Sequence, residues 1–470
     1  GWHKLRFPFN RALIDLIKTV PGARWVKDEK VWAVSTHGLL ALEPLIQSSG
    51  LGALTVPGPS ALTCPPLYLR PGKTLRDYQI NGLAYLWSHQ GFALTFDPRV
   101  GKGQRASDNV ITPSGPQRLD TLQVGHEVIG SDGNAHRVEG VFRRGKMPIW
   151  RVHFRDKTFL DVSGDHLWDV QFYVWRRSAR CGGWITKSTE ELASEPLFDS
   201  EGAARWFIPI VEPVQFEARP APKIHPYLLG VLLGDGCMSD AGSVRFVPGD
   251  EEVPAYLRTL GYKVVRQKQK TRSAAYAIRD VLDDVRDLEG VYGLRSWEKF
   301  VPSMYLRGSV SERLVLLQGL LDTDGSFEKN VTIFCSTSAQ LARDVVWLVQ
   351  SLGGVARLRS KLPTYRYKGE KRTGRRAYYV SISLDMQLSG CGKKFKSPTK
   401  FYPSRAIVKI EKLDEEDEII CIKTSALDQL YVASNFIVTH NTPTAIAALA
   451  AALAERKAAR AFVFYPASVR

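Results

Sequence analysis

No CxxC pair occurs in the 470 residues, and the six cysteines, Cys64, Cys181, Cys237, Cys335, Cys391 and Cys421, stand far apart. This spacing argues against a zinc site and against a disulfide framework, so reduced thiols are expected. No run of about 18 apolar residues is present, and no membrane span is expected. The start, Gly1-Trp2-His3, lacks the basic and apolar pattern of a secretory leader and reads as mid-sequence, which implies an intracellular fragment of a longer chain. A composition of 44% hydrophobic and 24% charged residues is that of an ordinary soluble protein. The length suits roughly three domains of about 100 to 200 residues.

Acidic side chains are the minority, 48 against 64 Lys and Arg, for a formal net charge of +16. Residues 217–404 alone hold 30 Lys and Arg against 19 Asp and Glu. Such an excess favours polyanions, because neutralising phosphates releases condensed counterions. A DNA-binding surface is therefore expected in the middle of the chain.

One missing hydroxyl organises the two ends. Phe96-Asp97-Pro98-Arg99-Val100-Gly101-Lys102 closes as a phosphate loop should, with Gly101 for close backbone approach and Lys102 for the β and γ phosphates. Gly103 stands where Ser or Thr is required, and the hydroxyl for the magnesium ion arrives only at Thr442. From Thr442 an Ala-rich helical pattern runs into the short apolar strand pattern Arg460–Pro466, the order that follows a phosphate loop. Joining Lys102 to Thr442 restores the loop, so residues 103–441 read as an insertion. Upstream, Leu75-Arg76-Asp77-Tyr78-Gln79 with Gly82-Leu83 resembles the adenine-reading Q motif of Swi/Snf-type ATPases, in which Gln79 would contact the base. Arg6–Asn10 and Pro21–Trp25 resemble the small accessory domain that precedes annealing-helicase ATPases.

The insertion ends in Phe436-Ile437-Val438-Thr439-His440-Asn441-Thr442, which resembles an intein's C-terminal splice motif. The Asn441 side-chain amide can attack its own peptide carbonyl to form a succinimide, His440 can act as general acid or base, and Thr442 can receive the N-terminal segment by transesterification. At the other junction Val110-Ile111-Thr112, Gly115 and Leu122–Val128 fit the family's first block, yet Gly103 has no side chain to serve as the usual Cys or Ser nucleophile. The chain resembles the inteins that lack that nucleophile and use a cysteine near the C-terminus, a tryptophan in the second motif and a downstream Thr. Cys421 lies in Glu418-Ile419-Ile420-Cys421-Ile422, Trp168 in Ser163-Gly164-Asp165-His166-Leu167-Trp168, and Thr442 at the junction. The resemblance makes Cys421 the attacker of the Lys102 carbonyl, His166 the group that polarises the upstream amide, and Trp168 a positioning residue. Read alone, Cys421 between isoleucines is a small buried hydrophobe.

Between the splice blocks, Leu228–Gly236 and Leu317–Gly325 are apolar helices that each end in Asp-Gly, about 89 residues apart. They resemble the paired motifs of LAGLIDADG homing endonucleases. Small residues Gly230, Gly234 and Gly319 would let the helices pack closely and bring Asp235 and Asp324 together, where paired carboxylates can hold Mg²⁺. Lys299, in Lys299-Phe300-Val301-Pro302, fits the position of the family's accompanying lysine, although a solvated surface lysine reads almost as well. Two motifs in one chain imply a pseudo-symmetric monomer that reads double-stranded DNA from β-ribbons. Arg357–Arg376 interleaves basic residues with Tyr365 and Tyr367 and suits a hairpin arm on phosphates.

The expected fold is multidomain: an all-β, horseshoe-shaped Hint splicing domain from 103–216 and 405–441, an inserted α/β LAGLIDADG endonuclease at 217–404, and fragments of a P-loop α/β ATPase at 61–102 and 442–470 behind an accessory domain at 1–60. Splicing would need no cofactor, the endonuclease Mg²⁺, and ATP with Mg²⁺ only the joined host. The setting implied is the cytoplasm of a prokaryotic or phage-infected cell. Two rival readings stay open. Either the ATPase flanks define the function and the insertion is tolerated, or the middle is a DNA-binding module without chemistry. The chain stops before any DExx box, so it is not expected to hydrolyse ATP.

Overall fold

An Asp-Gly step at the end of a buried apolar helix recurs twice in this chain, and most of its α/β architecture is built around that repeat. The computed structural model describes residues 2–5, 11–20, 23–26, 31–35, 42, 91–94, 103–172, 183–238, 243–267, 274–288, 290–328, 331–367, 369–392, 404–440 and 460–463. Gln79, Gly101, Lys102, Asn441 and Thr442 lie outside the described residues, as do most of 36–102 and 441–470. Two compact units are present, residues 1–83 and 84–470.

The first unit holds a three-stranded antiparallel sheet in the order Trp2–Leu5, Val31–Ser35, Arg24–Val26, with the helix Arg11–Thr19. Leu13, Leu16, Ile17 and Val20 recur at helical spacing and, with Val34 and Leu42, form its core.

In the second unit, strands from 103–209 and 404–424 share one eight-stranded sheet. Its order is Ile185–Ser188, Leu167–Phe172, Trp206–Pro209, Ser404–Thr424, Gln104–Arg105, Phe159–Ser163, Ala135–Phe154, Glu127–Ile129. The two longest strands, Ala135–Phe154 and Ser404–Thr424, also pair with each other through four register shifts, one of them between Ile419 and Ile420. Such bulges bend a strand pair and re-aim side chains. A four-stranded sheet follows in the order Ile437–His440, Leu430–Ala433, Asn109–Thr112, Gly115–Arg118, so the residues after Gly103 and those before Asn441 meet in one structure. Val110, Val152, Phe154, Val162, Trp168, Ile420 and Tyr431 are among the side chains of the core beneath.

Residues 226–384 form two copies of one pattern. The helix Pro226–Asp235 leads into a sheet ordered Gly236–Cys237, Val244–Phe246, Ala275–Ile278, Val264–Gln267; the helix Val310–Asp324 leads into Gly325–Glu328, Val331–Ser336, Ala377–Ser383, Val355–Lys361. Gly236 and Gly325 both leave the helix in extended backbone, with φ, ψ of −81°, 146° and −90°, 147°, and both donate to the carbonyl four residues back, Leu232 and Leu321. A Cβ at either would run into that same turn, which explains the glycine after each aspartate. The helices cross at the expected small residues: a Cβ on Gly230 would lie 2.8 Å from Leu320 N, and one on Gly319 would lie 3.1 Å from Gly230 Cα. Gly319→Val is therefore expected to destabilise this part by ~3 kcal/mol, read from its denaturant midpoint, because overpacking a rigid seam forces the backbones apart.

Strands Thr364–Tyr367 and Glu370–Thr373 form an exposed two-stranded ribbon beyond Val355–Lys361, the hairpin expected from the basic run. Gly91–Leu94 and Arg460–Val463 pair in parallel, one from each side of the 103–441 segment. Among the described residues, no helix is long and apolar enough to cross a membrane, and Cys237, Cys335, Cys391 and Cys421 form no disulfide.

Candidate functional site

The two ends of the 103–441 segment converge on one buried turn. In Phe159–Ser163 the last residue, Ser163, is fully buried and donates its backbone N–H to the Gly103 carbonyl at 3.0 Å and its hydroxyl to the same oxygen at 3.3 Å. Three residues on, His166 is buried, its backbone N–H returns to the Ser163 carbonyl at 3.1 Å, and its Nε2 is bonded to the Thr439 hydroxyl. Thr439 lies in the strand Ile437–His440, two residues before Asn441. One histidine thus bonds the strand Ile437–His440 from a turn that holds Gly103.

The turn is locked from behind. Ser188 and Glu191 form a reciprocal capping box that starts the helix Thr189–Ala193, satisfying donors that a helix start leaves open. Thr189 at that start donates its backbone N–H and its hydroxyl to the His166 carbonyl, at 2.9 and 3.2 Å. Trp168, fully buried, donates Nε1 to the Thr189 hydroxyl at 3.0 Å and sets its ring edge-on to His166, centroids 5.1 Å apart at 73°. Trp168 therefore fixes the imidazole plane and presents no atom for covalent chemistry. Thr189 and Thr439 escaped the sequence reading because a lone threonine 23 or 273 residues away carries no local signal.

Cys421 is 5% exposed, in the strand Ser404–Thr424. Ile419 pairs with Arg105 and Ile420 with Gln104, so the same antiparallel register carried one step further sets Cys421 level with Gly103. Gly103 is itself buried, and a Cβ built there would overlap Ile419 and stand 2.8 Å from the Ile420 carbonyl oxygen. This backbone leaves no room for a side chain at the first position. Tyr431, beside Cys421, donates its hydroxyl to the Gln104 side chain at 2.9 Å, and burial holds its phenol well above the usual range, with charge at Cys421 and Asp108 adding to the effect. Burial also pushes the Asp108 carboxyl up to about 7, with Asp161 adding repulsion. Asp161 is buried and held by Arg151 at 2.7 Å and Arg105 at 3.0 Å. His440, also buried, has its Nε2 3.8 Å from Asp169.

In the α/β part, Asp235 and Asp324 are the last residues of the two crossing helices, as their Asp-Gly steps require. Lys299 is 3% exposed, not a surface residue, and its Nζ donates to the carbonyls of Leu232, Gly234 and Gly236 at 3.0, 2.8 and 2.8 Å. It caps the end of the first helix, where a cation is favoured by the open carbonyls. Burial lowers its ammonium to about 8 against the pull of Asp324 and Asp235. Burial also raises the Asp324 carboxyl to about 7, and the nearby Asp235 adds to this while Lys299 opposes it. Two crowded carboxylates at the negative ends of two helices suit a hydrated Mg²⁺, which needs only one or two carboxylates. Among the described residues no three His, Cys, Asp or Glu side chains gather as a metal cluster.

Comparison with known proteins is consistent with this division. Residues 311–387 match the family model of the LAGLIDADG-like domain. The chain is 27% identical to the replicative DNA helicase DnaB of Mycobacterium intracellulare over 73% of its own length and 59% of that protein's. It is 26% identical to RecA of Mycobacterium tuberculosis (strain ATCC 25618 / H37Rv) over 55% of this chain and 35% of RecA, and 33% identical to DnaB of Rhodothermus marinus over 33% and 18%. The chain thus spans little more than half, or less, of these relatives. Similar solved structures include the Msm DnaB1 intein splicing domain, at 9% identity, TM-score 0.23, over 72% of this chain and 99% of that one. Variants of the homing endonuclease I-DmoI match at 18% identity, TM-score 0.23, over 34% and 88%.

Proposed function

We propose that residues 103–441 are a self-splicing intein carrying a LAGLIDADG homing endonuclease, excised with ligation of Lys102 to Thr442. The observation that carries this reading is the buried Ser163–His166 turn, which bonds Gly103 on one side and Thr439 on the other, with Cys421 one register step beyond the Ile420–Gln104 pair. The matched relatives add support: a replicative helicase and a RecA each share only part of their length with this chain, as expected of an element that resides in different hosts. The share of the chain aligned with the mycobacterial DnaB is also close to the share that 103–441 occupies.

Splicing starts when the Cys421 thiol attacks the Lys102 carbonyl carbon. The bond to Gly103 nitrogen breaks, that nitrogen takes a proton, and a branched thioester forms. The Thr442 hydroxyl then attacks the thioester, and Cys421 leaves as thiol. The Asn441 amide nitrogen closes on the Asn441 carbonyl carbon, and the freed Thr442 nitrogen displaces the ester oxygen to make the peptide bond. A peptide bond is stabilised by resonance, so the first attack needs a proton delivered to the departing nitrogen. His166 holds that role through its place on the turn bonded to Gly103. His440 serves the Asn441 step, with its Nε2 3.8 Å from Asp169.

The endonuclease reading rests on Asp235 and Asp324, with Lys299 as the accompanying cation. Asp235 and Asp324 would hold the Mg²⁺, which when bound would supply an activated water and charge stabilisation for the leaving oxygen of the DNA strand. Lys299 holds the end of the first helix in place through the Leu232, Gly234 and Gly236 carbonyls and offsets charge as the phosphate arrives. The exposed ribbon 364–373 and strand 355–361 offer Arg359, Lys361, Arg366 and Arg372 to phosphates. For the host, a Swi/Snf-like ATPase, support comes from the parallel pairing of Gly91–Leu94 with Arg460–Val463, one strand from each side of the segment.

Mass spectrometry of the freshly synthesised chain tests the whole reading: a joined 1–102/442–470 product and a free 103–441 species are expected, and an intact chain would sink it. A second outcome is specific to the upstream junction. Gly103→Cys is expected to slow splicing at least ~10-fold, because the added Cβ must displace the Ile420 peptide, and a displacement of about 1 Å can cost ~10²-fold. Rates from the same mass-spectrometric series would settle it, and faster splicing would show that a conventional first nucleophile fits.

A further inference from the structure

The segment that leaves the splicing sheets is stitched to the far end of an endonuclease helix, Ala339–Ser351. Val214 donates its N–H to the Ser351 carbonyl at 2.9 Å. Arg313, fully buried on the helix that ends at Asp324, donates to the Gly308 carbonyl at 2.9 Å, to the Ser351 carbonyl and hydroxyl at 2.8 and 2.6 Å, and to the Val214 carbonyl. Its guanidinium lies 5.0 Å from the Phe216 ring centroid. Phe216 stacks on Trp347 with centroids 5.3 Å apart at 17°, and Trp347 in turn meets Phe436 edge-on at 5.1 Å and 78°.

Phe436 is the residue directly before the strand Ile437–His440, and its φ is 53°, following Asn435 at 58°. Asparagine tolerates the left-handed region, but a bulky aromatic there is an outlier that persists only where its surroundings hold it. Two contacts do so. Arg405, from the splicing sheet, donates to the Asn435 carbonyl at 3.0 Å, and Phe436, 2% exposed in a cluster with Ile111, Val432 and Val438, meets the Trp347 ring edge-on.

We propose that Trp347, although part of the endonuclease, is a positioning residue for the C-terminal half of splicing: it holds the Asn435–Phe436 turn, and the turn aims the strand that delivers His440 and Asn441. The inference rests on the splicing reading and adds a division of labour to it. The upstream attack is set by Gln104–Arg105, the Ser163–His166 turn and the long strand pair, whereas among the described residues the ring contacts of Trp347 are with Phe216 and Phe436. The downstream step needs the Asn441 amide nitrogen in line with its own carbonyl carbon, a geometry that a four-residue strand inherits from its first turn. Trp347 is partly exposed at the edge of a cleft of about 550 Å³ shared with Ile111, Pro116 and Phe436, so shortening it removes a brace and not a core side chain.

The test follows the full chain during cell-free synthesis, comparing wild type, Trp347→Ala and Trp347→Phe. Hydroxylamine-released 1–102 reports the upstream ester, and release of 442–470 reports Asn441 cyclisation. For Trp347→Ala the second rate is expected to fall by ~10-fold while the first stays within about twofold, and Trp347→Phe should recover most of the loss, because small misplacements of reacting atoms carry large rate costs. Equal slowing of both steps overturns the positioning role, and so does an unchanged Trp347→Ala rate in a chain with native near-ultraviolet circular dichroism. A wild type that yields neither a joined 1–102/442–470 product nor a hydroxylamine-sensitive fragment overturns the splicing reading itself, whatever the variants do.

Discussion

Cys421→Ala is expected to give no joined 1–102/442–470 product and no fragment released by hydroxylamine. The expected loss is on the order of 10³-fold or more, the scale seen when a covalent nucleophile is removed, since no other group in the site can form the bond. The geometry explains why nothing substitutes. Gly103 has no side chain, and its backbone is pressed against the Ile420 peptide. Ser163 has a hydroxyl near the junction, but that hydroxyl is buried and donated to the Gly103 carbonyl. Asn441 can still cyclise in the variant, so slow loss of 442–470 without joining is the expected side reaction. Cys421→Ser should form the branched intermediate more slowly than wild type, because a hydroxyl is a far weaker nucleophile than a thiolate at neutral pH. Joined product from Cys421→Ala would remove this cysteine from the mechanism.

The parts of these sites that could be read in the sequence are those set by short-range rules. An apolar helix ending in Asp-Gly twice over, with glycine where two helices touch, follows from steric needs that involve a few neighbouring residues. Gly230, Gly234, Gly319, Asp235 and Asp324 accordingly lie where their pattern places them. The ribbon around Tyr365 was legible from basic residues interleaved with Tyr365 and Tyr367. Lys299 could be located but not characterised, because its burial depends on three helix-end carbonyls 63 to 67 residues away. The same limit hid Thr439 as the partner of His166 and Thr189 as the partner of Trp168. Gly103 shows another kind of gap: in sequence it is only the absence of a nucleophile, whereas the packed strand of Ile419 and Ile420 makes glycine a requirement of the fold. Trp347 gave no signal at all, since nothing in a helix sequence tells which neighbouring unit an aromatic side chain will cover.

Asp324→Asn is expected to abolish DNA cleavage, by ~10²-fold or more, while leaving splicing and DNA binding intact, because a neutral amide cannot share a hydrated divalent cation with Asp235. Plasmid nicking beside a binding assay reads the separation directly. The same variant should be more stable than wild type without metal. In the folded chain the Asp324 carboxyl is raised to about 7 by burial and by Asp235, whereas in the unfolded chain it ionises near about 3.9. Between those values the folded state binds more protons, so its stability falls as pH rises, and the full cost is felt above about pH 7. Lys299, lowered to about 8, acts in the opposite sense only at higher pH, where its unfolded counterpart is still protonated. Thermal melts at pH 8 should therefore place Asp324→Asn above wild type, by up to ~4 kcal/mol in stability, with the gap closing toward pH 4. Added Mg²⁺ should close it at pH 8 by offsetting the repulsion between the two carboxylates in wild type alone. A gap that widens on acidification, or a variant that still cuts DNA, would mean that the strained carboxylate is not the metal-binding group.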